Sequence, residues 1–429
     1  MPPFFLLLDV DGRHEARQRL RSLLKPVSVR LIRLRRSTLA RKQRLVMVTG
    51  TQGKTTTTRC VRAVLGLPPD AALMVSPNRP RSFAPVLFRQ APWWRHAALE
   101  AAINRPGNMR ELMALLKPAV VVVTSVGTEH HRLFPTLVAL RAEKATSVRL
   151  LPASGIAVLN GDDPQVASMA AETQARVVTY GTHEGVDVRA TDVQLEWPRG
   201  TAFTVEAAGR KHPVRTRLFG PAGVYSALGS LAVAYAEGVL LPEAIARLGH
   251  VRPTRRRNEP IRLTNGAWAL MDDAKAAPET VGPFLELASQ VPAGRRIFVL
   301  GKLDRSPGGQ QAFYHEFGAA VGRMAALVVV VGDRDVAAKF APGLAAGGLA
   351  AEQILHAPGA LEAGGLLRAH LREDDVVFVK GTGSLRLTRA ALLLAGRDVR
   401  CRRQVCHMNF ASCETCPLLS KAQAAPRRR

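Results

Sequence analysis

The sequence predicts an α/β fold: a central domain with a parallel sheet, a second Rossmann-like C-terminal domain, and a short cysteine-rich tail. Short apolar runs recur along the chain and alternate with segments of helical periodicity, which is the pattern of strands buried between helices. The length of 429 residues exceeds what one hydrophobic core usually serves. Together these observations favour at least two α/β domains.

The predicted boundaries follow shifts in composition. We expect a basic helical arm over 1–44, the central domain over 45–250, the C-terminal domain over 251–400 and the tail over 401–429. Basic residues around Pro253 mark the boundary between the two α/β domains. The predicted strands lie at 45–49, 119–124 and 155–159, then, after an antiparallel excursion over 186–218 and a helical stretch over 225–248, at 263–273 (a hairpin), 296–300, 327–331 and 376–379.

A glycine-lysine loop follows the first predicted strand. The loop is Gly50-Thr51-Gln52-Gly53-Lys54-Thr55, and a helical stretch over 55–65 comes directly after it. Backbone N–H groups in such a turn converge on phosphate oxygens, and the helix N-terminus adds a favourable partial charge. Lys54 is expected to reach the β- and γ-phosphates, and the Thr55 hydroxyl to bind Mg²⁺. The central domain is therefore predicted to be a P-loop domain.

The loop, with Thr56 and the rest of the threonine run behind it, resembles that of the Mur ligase family, whose members join a carboxylate to an amine using ATP. The resemblance continues in order from about residue 45 to about residue 400. The further segments that carry it are Glu100, 124–130 with His130, Glu143-Lys144, 159–164, Arg257-Asn258-Glu259, Met271-Asp272-Asp273 with Pro278, and 379–384.

The resemblance implies roles for these residues. Glu100 and His130 would be magnesium ligands, and Lys144 would be the site lysine that is often carbamylated in the family. Arg257 and Asp272 would help to hold the nucleotide. Taken outside this ordered series, each residue better suits a structural role: Glu100 a surface helix, His130 a cap or core position, and Lys144 a solvated helix face.

Two departures from the family pattern bear on the substrate. The asparagines that help to hold adenine in the family are missing around Gly223. The 44 residues before the first predicted strand are expected to leave no room for the family's domain that grips a UDP-sugar. The length better fits members that act on lipid-linked cell-wall precursors or that polymerise glutamate.

The chemistry expected from the loop and the resemblance is ATP- and Mg²⁺-dependent amide formation through an acyl phosphate, releasing ADP and phosphate. The substrates would be a cell-wall precursor or an amino-acid polymer carrying a carboxylate, and an amine. An alternative is an ATP-switched binding module that engages a polyanion through the basic arm and the tail. A third reading is a degenerate ligase fold with a scaffold role.

The net charge of +26 attracts polyanions and acidic membrane surfaces. Aromatic residues make up only 5% and are not interleaved with basic patches, so nucleic acid is not the favoured partner. Residues 13–44 form a basic amphipathic helical region that suits either a membrane surface or an arm packed on its own protein. The chain start is a poor signal peptide, so we expect a cytoplasmic protein, peripheral at the inner membrane face if the arm binds lipid.

Four of the five cysteines crowd into the tail. Four residues separate Cys401 from Cys406, and two residues separate Cys413 from Cys416. Clustered cysteines in a cytosolic protein favour metal over disulfides, and four thiolates suit Zn²⁺. An iron–sulfur cluster is the second possibility and unliganded thiols the third. Whichever holds, the catalysis expected above does not require this module.

Overall fold

The computed structural model describes residues 25–68, 83–127, 133–304, 309–406 and 412–421, with the side chains of 25 and 26 left out. The predicted α/β fold is confirmed. The helices are α1 Lys25–Ser37, α2 Lys54–Val64, α3 Phe83–Phe88, α4 Asn108–Leu116, α5 Leu137–Arg149, α6 Pro164–Ala167, α7 Gly220–Ala236, α8 Leu241–Leu248, α9 Val281–Gln290, α10 Gln310–Gly322, α11 Arg334–Ala346, α12 Ala360–His370 and α13 Thr388–Leu394. Short 3₁₀ turns occupy Ser168–Glu172, Pro278–Thr280, Ala351–Gln353 and Cys413–Thr415.

The first sheet has eight strands in the order β2-β1-β3-β4-β5-β6-β7-β8. Its strands are β1 Arg44–Thr49, β2 His96–Glu100, β3 Val120–Val123, β4 Ile156–Asn160, β5 Arg176–Gly181, β6 Val188–Glu196, β7 Gly200–Ala207 and β8 Arg210–Thr216. The strands from β2 to β5 pair in parallel, and β7 and β8 form an antiparallel pair. The antiparallel excursion predicted over 186–218 is therefore found at one side of a parallel sheet.

The second sheet has six strands in the order β13-β12-β11-β14-β10-β9. Its strands are β9 Glu259–Arg262, β10 Trp268–Asp272, β11 Arg296–Gly301, β12 Leu327–Val331, β13 Ile354–Ala357 and β14 Val376–Lys380. Strands β10 to β14 pair in parallel, and β9 pairs with β10 in antiparallel fashion. This strand pair covers 259–272, so β10 lies within the predicted range of 263–273 and β9 lies before it. In an open sheet of this kind, ligands bind outside the carboxyl ends of the strands, where the strand order reverses.

The chain divides into two compact units that interleave in sequence. One contains the described parts of residues 1–126, 130–189 and 228–244, and the other contains the described parts of 127–129, 190–227 and 245–429. Each has its own buried apolar core, one around β1 to β4 and the other around β10 to β14. The boundaries predicted from composition, at 44, 250 and 400, stay predictions. No helix in the described part of the chain combines the length and apolarity needed to cross a bilayer.

A buried charge cluster joins β1 and β2 to the end of α7 in the first unit. Both carboxylate oxygens of Glu237 accept hydrogen bonds from Arg44, at 2.7 and 2.6 Å, and Glu237 Oε2 lies 2.9 Å from His96 Nε2. Burial alone would raise the pKa of the Glu237 carboxyl. The hydrogen bonds and charges of His96 and Arg44 outweigh burial and lower that pKa to about 2.

We expect Glu237 to make this unit acid-sensitive. Its ordinary pKa is 4.5, so the ionised carboxylate stabilises the fold above that pH, and the stabilisation is lost as pH falls toward 2. The shift corresponds to about 3 kcal/mol. Urea unfolding across this pH range should show the loss in the wild type and a smaller loss in Glu237→Gln. The exposed Glu111→Gln serves as the control, and an unchanged slope in Glu237→Gln would contradict the assignment.

Candidate active site

The glycine-lysine loop connects β1 to α2, and its glycines are required by its geometry. Gly50 has φ +143° and Gly53 has φ +75°, both in the region that disfavours other residues. A Cβ on Gly50 would lie 2.0 Å from Thr124 Oγ1. Gly53 is the residue before α2, so the loop delivers the chain directly into a helix N-terminus. The first N–H groups of a helix have no partner within the helix, which suits them to bind an anion.

Lys54 is buried, and its ammonium group lies within its own loop. Nζ donates hydrogen bonds of 2.8 Å to both Gly50 O and Thr51 O. These bonds hold a full positive charge against the backbone that would surround a phosphate. The structure places Lys54 within the turn after β1, and its contact with phosphate stays a prediction.

Thr55 and Glu100 come together beside Lys54. The Thr55 hydroxyl donates a hydrogen bond of 2.7 Å to Glu100 Oε2, and both side chains are buried. Glu100 ends β2, in register with Val48 of β1, and is not on a helix. Hydroxyl and carboxylate oxygens are ligands that Mg²⁺ prefers. His130, the third predicted ligand, lies outside the described residues.

The segment after β3 supports the loop from behind. Ser125 O accepts a hydrogen bond of 2.8 Å from Thr51 N, and Ser125 Oγ accepts one of 2.9 Å from Gln52 N. Asn160 Nδ2 donates to Thr124 O at 3.0 Å. The motif at 159–164 therefore has a positional role: it fixes the strand end that holds the loop. Sequence reasoning identified this motif but not that role.

Glu143 and Lys144 are adjacent on α5 but make different contacts. Glu143 accepts hydrogen bonds from Gly107 N at 2.9 Å and Met109 N at 2.7 Å, so it caps the start of α4. Lys144 is buried, and Ser147 Oγ donates a hydrogen bond of 2.7 Å to its carbonyl oxygen. Because Lys144 is buried, it is not the solvated helix lysine of the alternative reading.

The second unit gathers polar residues at the carboxyl ends of β10, β11 and β14. Asp272 at the end of β10 forms an ion pair with Lys380 at the end of β14. Lys380 is fully buried, and its Nζ lies 5.3 Å from the ring centroid of Phe284. Lys302 O accepts a hydrogen bond of 2.8 Å from Thr382 N, which ties the loops after β11 and β14 together. This edge is the place where an open parallel sheet binds ligands.

Asp273, the residue after Asp272, is fully buried and is bound from two sides. Its carboxylate accepts hydrogen bonds of 3.0 Å from Arg256 Nε and 2.9 Å from the Thr388 hydroxyl. Burial lowers the pKa of the Arg256 guanidinium, but the charge and hydrogen bond of Asp273 outweigh it and raise that pKa. Sequence reasoning chose Arg257, which is half-buried and only partly exposed to solvent; its role stays a prediction.

The prediction of a metal in the tail finds no support in the structure. Within the described residues, no three His, Cys, Asp or Glu side chains are grouped so as to hold a metal ion. Cys413 instead packs against Leu392, Val399 and Leu419, and burial raises the pKa of its thiol to about 11. Arg389 Nη1 donates to Cys401 Sγ at 3.4 Å. Cys406 and Cys416 are likewise free thiols, and they are half-buried.

Comparison with known proteins gives two family matches and several relatives. The Mur ligase middle domain matches residues 48–234, and the glutamate ligase domain of Mur ligases matches residues 256–383. A UDP-N-acetylmuramoyl-tripeptide–D-alanyl-D-alanine ligase of Mycobacterium tuberculosis (strain CDC 1551 / Oshkosh) is 30% identical over 375 residues, which is 82% of this chain and 73% of that protein. A UDP-N-acetylmuramate–L-alanine ligase of Xanthomonas campestris pv. campestris (strain B100) is 34% identical over 214 residues, 49% of this chain and 42% of that one.

The solved structures show the same fold at lower identity. A crystal structure of MurF from Acinetobacter baumannii aligns with a TM-score of 0.74 and 21% identity, covering 87% of this chain and 81% of that one. Folylpolyglutamate synthase of Mycobacterium tuberculosis, complexed with ADP, aligns with a TM-score of 0.65 and 16% identity, covering 88% of this chain and 95% of that one. The two-sheet architecture is thus one that solved ligases share.

Proposed function

The chain belongs to the Mur ligase family, and on that premise we propose that it is an ATP-dependent ligase that forms an amide bond through an acyl phosphate. The observation that carries the proposal is the buried group formed by Lys54, Thr55 and Glu100 at the glycine loop. It combines a fixed cation, a helix N-terminus and a pair of oxygen ligands. Phosphoryl transfer needs these features to neutralise charge on the transferring group.

The proposed reaction has two steps. A carboxylate oxygen of the acid attacks the γ-phosphorus of ATP, the bond to the bridging oxygen breaks, and ADP leaves. The amine then attacks the carbonyl carbon of the acyl phosphate, the C–O bond to phosphate breaks, and the amine nitrogen loses its proton. Lys54 stabilises the charge that builds on the phosphoryl oxygens in the first step.

Mg²⁺ is expected for this chemistry, and the residues at the loop fit it. The Thr55 hydroxyl and a Glu100 carboxylate oxygen lie 2.7 Å apart on adjacent elements, so one ion suits both. When bound, Mg²⁺ neutralises charge on the β- and γ-phosphates. His130 as a further ligand and carbamylation of Lys144 belong to the same proposal.

The acid is proposed to be a cell-wall precursor or an amino-acid polymer. The relatives named above are ligases of UDP-muramoyl substrates, and the folate relative shares the fold. The edge of the second sheet around the Asp272–Lys380 ion pair is the place where an open parallel sheet binds ligands, and it is the proposed location of the co-substrate.

The test is phosphate release by the purified chain with ATP and Mg²⁺. Amino acids, dipeptides, UDP-linked and lipid-linked muramoyl peptides are supplied singly and in pairs of acid and amine. A ligase releases phosphate only when both members of a pair are present, and mass spectrometry finds the amide product. Turnover that responds to a polyanion without any amide product would instead favour the ATP-switched binding module.

Glu100→Gln is expected to raise the Mg²⁺ concentration needed for half-maximal turnover by about tenfold or more, because a neutral amide oxygen is a weaker ligand for a hard cation. The amide still accepts a hydrogen bond from Thr55, so the fold should be kept. The measurement is turnover against Mg²⁺ at saturating ATP, with the exposed Glu111→Gln as the matched control. An identical magnesium titration would remove Glu100 from the metal site.

A further inference from the structure

Among the described residues, the contacts of helix α1 with the first unit lie along one side of the helix. Ile32 is fully buried in the core of that unit, and Val29 packs against it. The helix contacts α3 and α4. Arg36 Nε donates to Leu116 O at 2.9 Å, and the buried Arg35 donates to Gln90 O. The reading of this region as an arm packed on its own protein is therefore correct for this side of α1.

The opposite side of α1 presents apolar side chains to solvent. Val27, Leu31 and Leu34 follow the i, i+4, i+7 spacing that aligns residues on one helix face, and they are 49%, 46% and 59% exposed. Arg30 and Arg33 are exposed on the flank of this stripe. The helix contains no acidic residue. The helix therefore has two apolar sides, of which one is packed in the core and the other is exposed to water.

Two exposed aromatic side chains lie on segments that contact α1 or the residues directly after it. Phe88, at the end of α3, is half exposed, and the Arg35 guanidinium lies 5.8 Å from its ring centroid. Trp93 is 82% exposed. Its turn is fixed to the segment after α1, because Gln43 Nε2 donates to Ala91 O at 2.8 Å. We call the group Val27, Leu31, Leu34, Phe88 and Trp93 the α1 surface.

We propose that the α1 surface binds an anionic lipid bilayer, with α1 lying in the plane of the headgroups. A helix with a basic flank, an apolar stripe and a neighbouring tryptophan has the composition of an interfacial helix. Tryptophan favours the headgroup level because its ring is apolar and its N–H is polar. Each basic residue near an anionic surface strengthens the attraction to it.

Charge complementarity is what selects the lipid surface as the occupant. Arg30, Arg33, Arg41, Lys42 and Arg89 are all exposed on α1, after it or beside Phe88, and they meet anionic headgroups. The apolar stripe between them would not be stabilised by contact with a nucleic acid, because the nucleic-acid backbone is charged throughout. A bilayer offers both an anionic layer and a hydrocarbon layer behind it. Binding of this kind is separate from catalysis and does not rest on the proposed ligase activity.

The experiment is co-sedimentation of the full chain with vesicles of phosphatidylcholine alone or mixed equally with phosphatidylglycerol. We expect binding to the mixed vesicles at least tenfold tighter than to the neutral ones, weakening as salt screens the charges. Leu34→Glu should weaken binding at least tenfold. Leu240→Glu is the matched control: Leu240 is 73% exposed in the same unit, and the change in net charge is identical.

Two further variants separate the apolar from the electrostatic part. The pair Arg30→Glu and Arg33→Glu should weaken binding to mixed vesicles well beyond the pair Arg252→Glu and Arg368→Glu, which reverses two exposed arginines elsewhere. Trp93→Phe should remove a blue shift of tryptophan emission that the wild type shows on mixed vesicles. Thermal unfolding of Leu34→Glu should match the wild type, because Leu34 is mostly solvent-exposed.

The proposal is overturned if Leu34→Glu and Leu240→Glu bind mixed vesicles equally, since the net charge alone would then explain binding. It is also overturned if the wild type does not bind the vesicles. A third contradicting outcome is that the wild type prefers single-stranded RNA to the vesicles and that Leu34→Glu does not weaken RNA binding. Loss of vesicle binding with normal substrate-dependent phosphate release would support the surface and leave the ligase proposal standing. Failure of the ligase assay would leave the vesicle result unaffected.

Discussion

Lys54→Ala is expected to lower substrate-dependent ATP turnover by a factor of about 10² to 10³, the usual effect of removing one preorganised group that stabilises transition-state charge. The structure gives the reason. Lys54 Nζ is held 2.8 Å from both Gly50 O and Thr51 O, so the cation is in place before any ligand arrives. No other side chain of the loop carries a positive charge that would replace it.

The fold should survive this change. Lys54→Ala removes two hydrogen bonds to loop carbonyls, and it places alanine, a strong helix former, at the start of α2. Circular dichroism and thermal unfolding of the variant should stay close to the wild type. Lys42→Ala, an exposed lysine just before β1, is the matched control and should turn over ATP normally. Unchanged turnover in Lys54→Ala would remove the loop from the proposed mechanism.

The sequence predicted most of the interior strands because parallel strands are buried on both faces and are therefore continuously apolar. It did not predict the interior strand β5, in which three of the six residues are not fully buried. The run at 327–331 corresponds to β12, and the runs at 45–49 and 376–379 are each within one residue of β1 and β14. Strand β2 was not predicted from the sequence. His96–Glu100 contains two ionisable residues, whose burial is explained by partners that lie far away in sequence: Glu237 for His96 and Thr55 for Glu100.

The helical stretch predicted over 225–248 is two helices, α7 and α8. Gly238 has φ +72°, a conformation that ends a helix, and the chain restarts at Leu241. The apolar periodicity continues across the break because both helices bury an apolar face. Apolar periodicity therefore predicts one helix where the left-handed residue Gly238 separates two.

In the candidate site too, the local sequence does not reveal which side chains contact each other. Thr55 and Glu100 are 45 positions apart, and a motif resemblance was needed to pair them before the sheet register did so. Arg256 and Arg257 are chemically equivalent in sequence. Only the left-handed turn at Arg256, with φ +64°, decides which guanidinium enters the buried network with Asp273.

The buried network around Asp273 carries the second large prediction. Asp273 is fully buried, and it is the only carboxylate that receives hydrogen bonds from the Arg256 guanidinium among the described residues. Removing the carboxylate leaves a buried cation without its counter-charge, and it also removes the acceptor of both the Thr388 hydroxyl and the Thr388 N–H. Breaking a buried ion pair from one side typically costs about 3–5 kcal/mol, because the remaining charge is desolvated and uncompensated.

Asp273→Ala is therefore expected to lower the free energy of unfolding of the second unit by about 3–5 kcal/mol, measured by urea denaturation at neutral pH. Asp335→Ala is the matched control. Asp335 pairs with Lys339 one helical turn away, and because that pair is largely exposed, its loss should cost about 0.5 kcal/mol or less. Asp273→Asn should fall between the two, since the amide still accepts hydrogen bonds but carries no charge. If Asp273→Ala and Asp335→Ala cost the same, Arg256 is solvated in solution, and the network does not hold the linker before β9 to the end of β10.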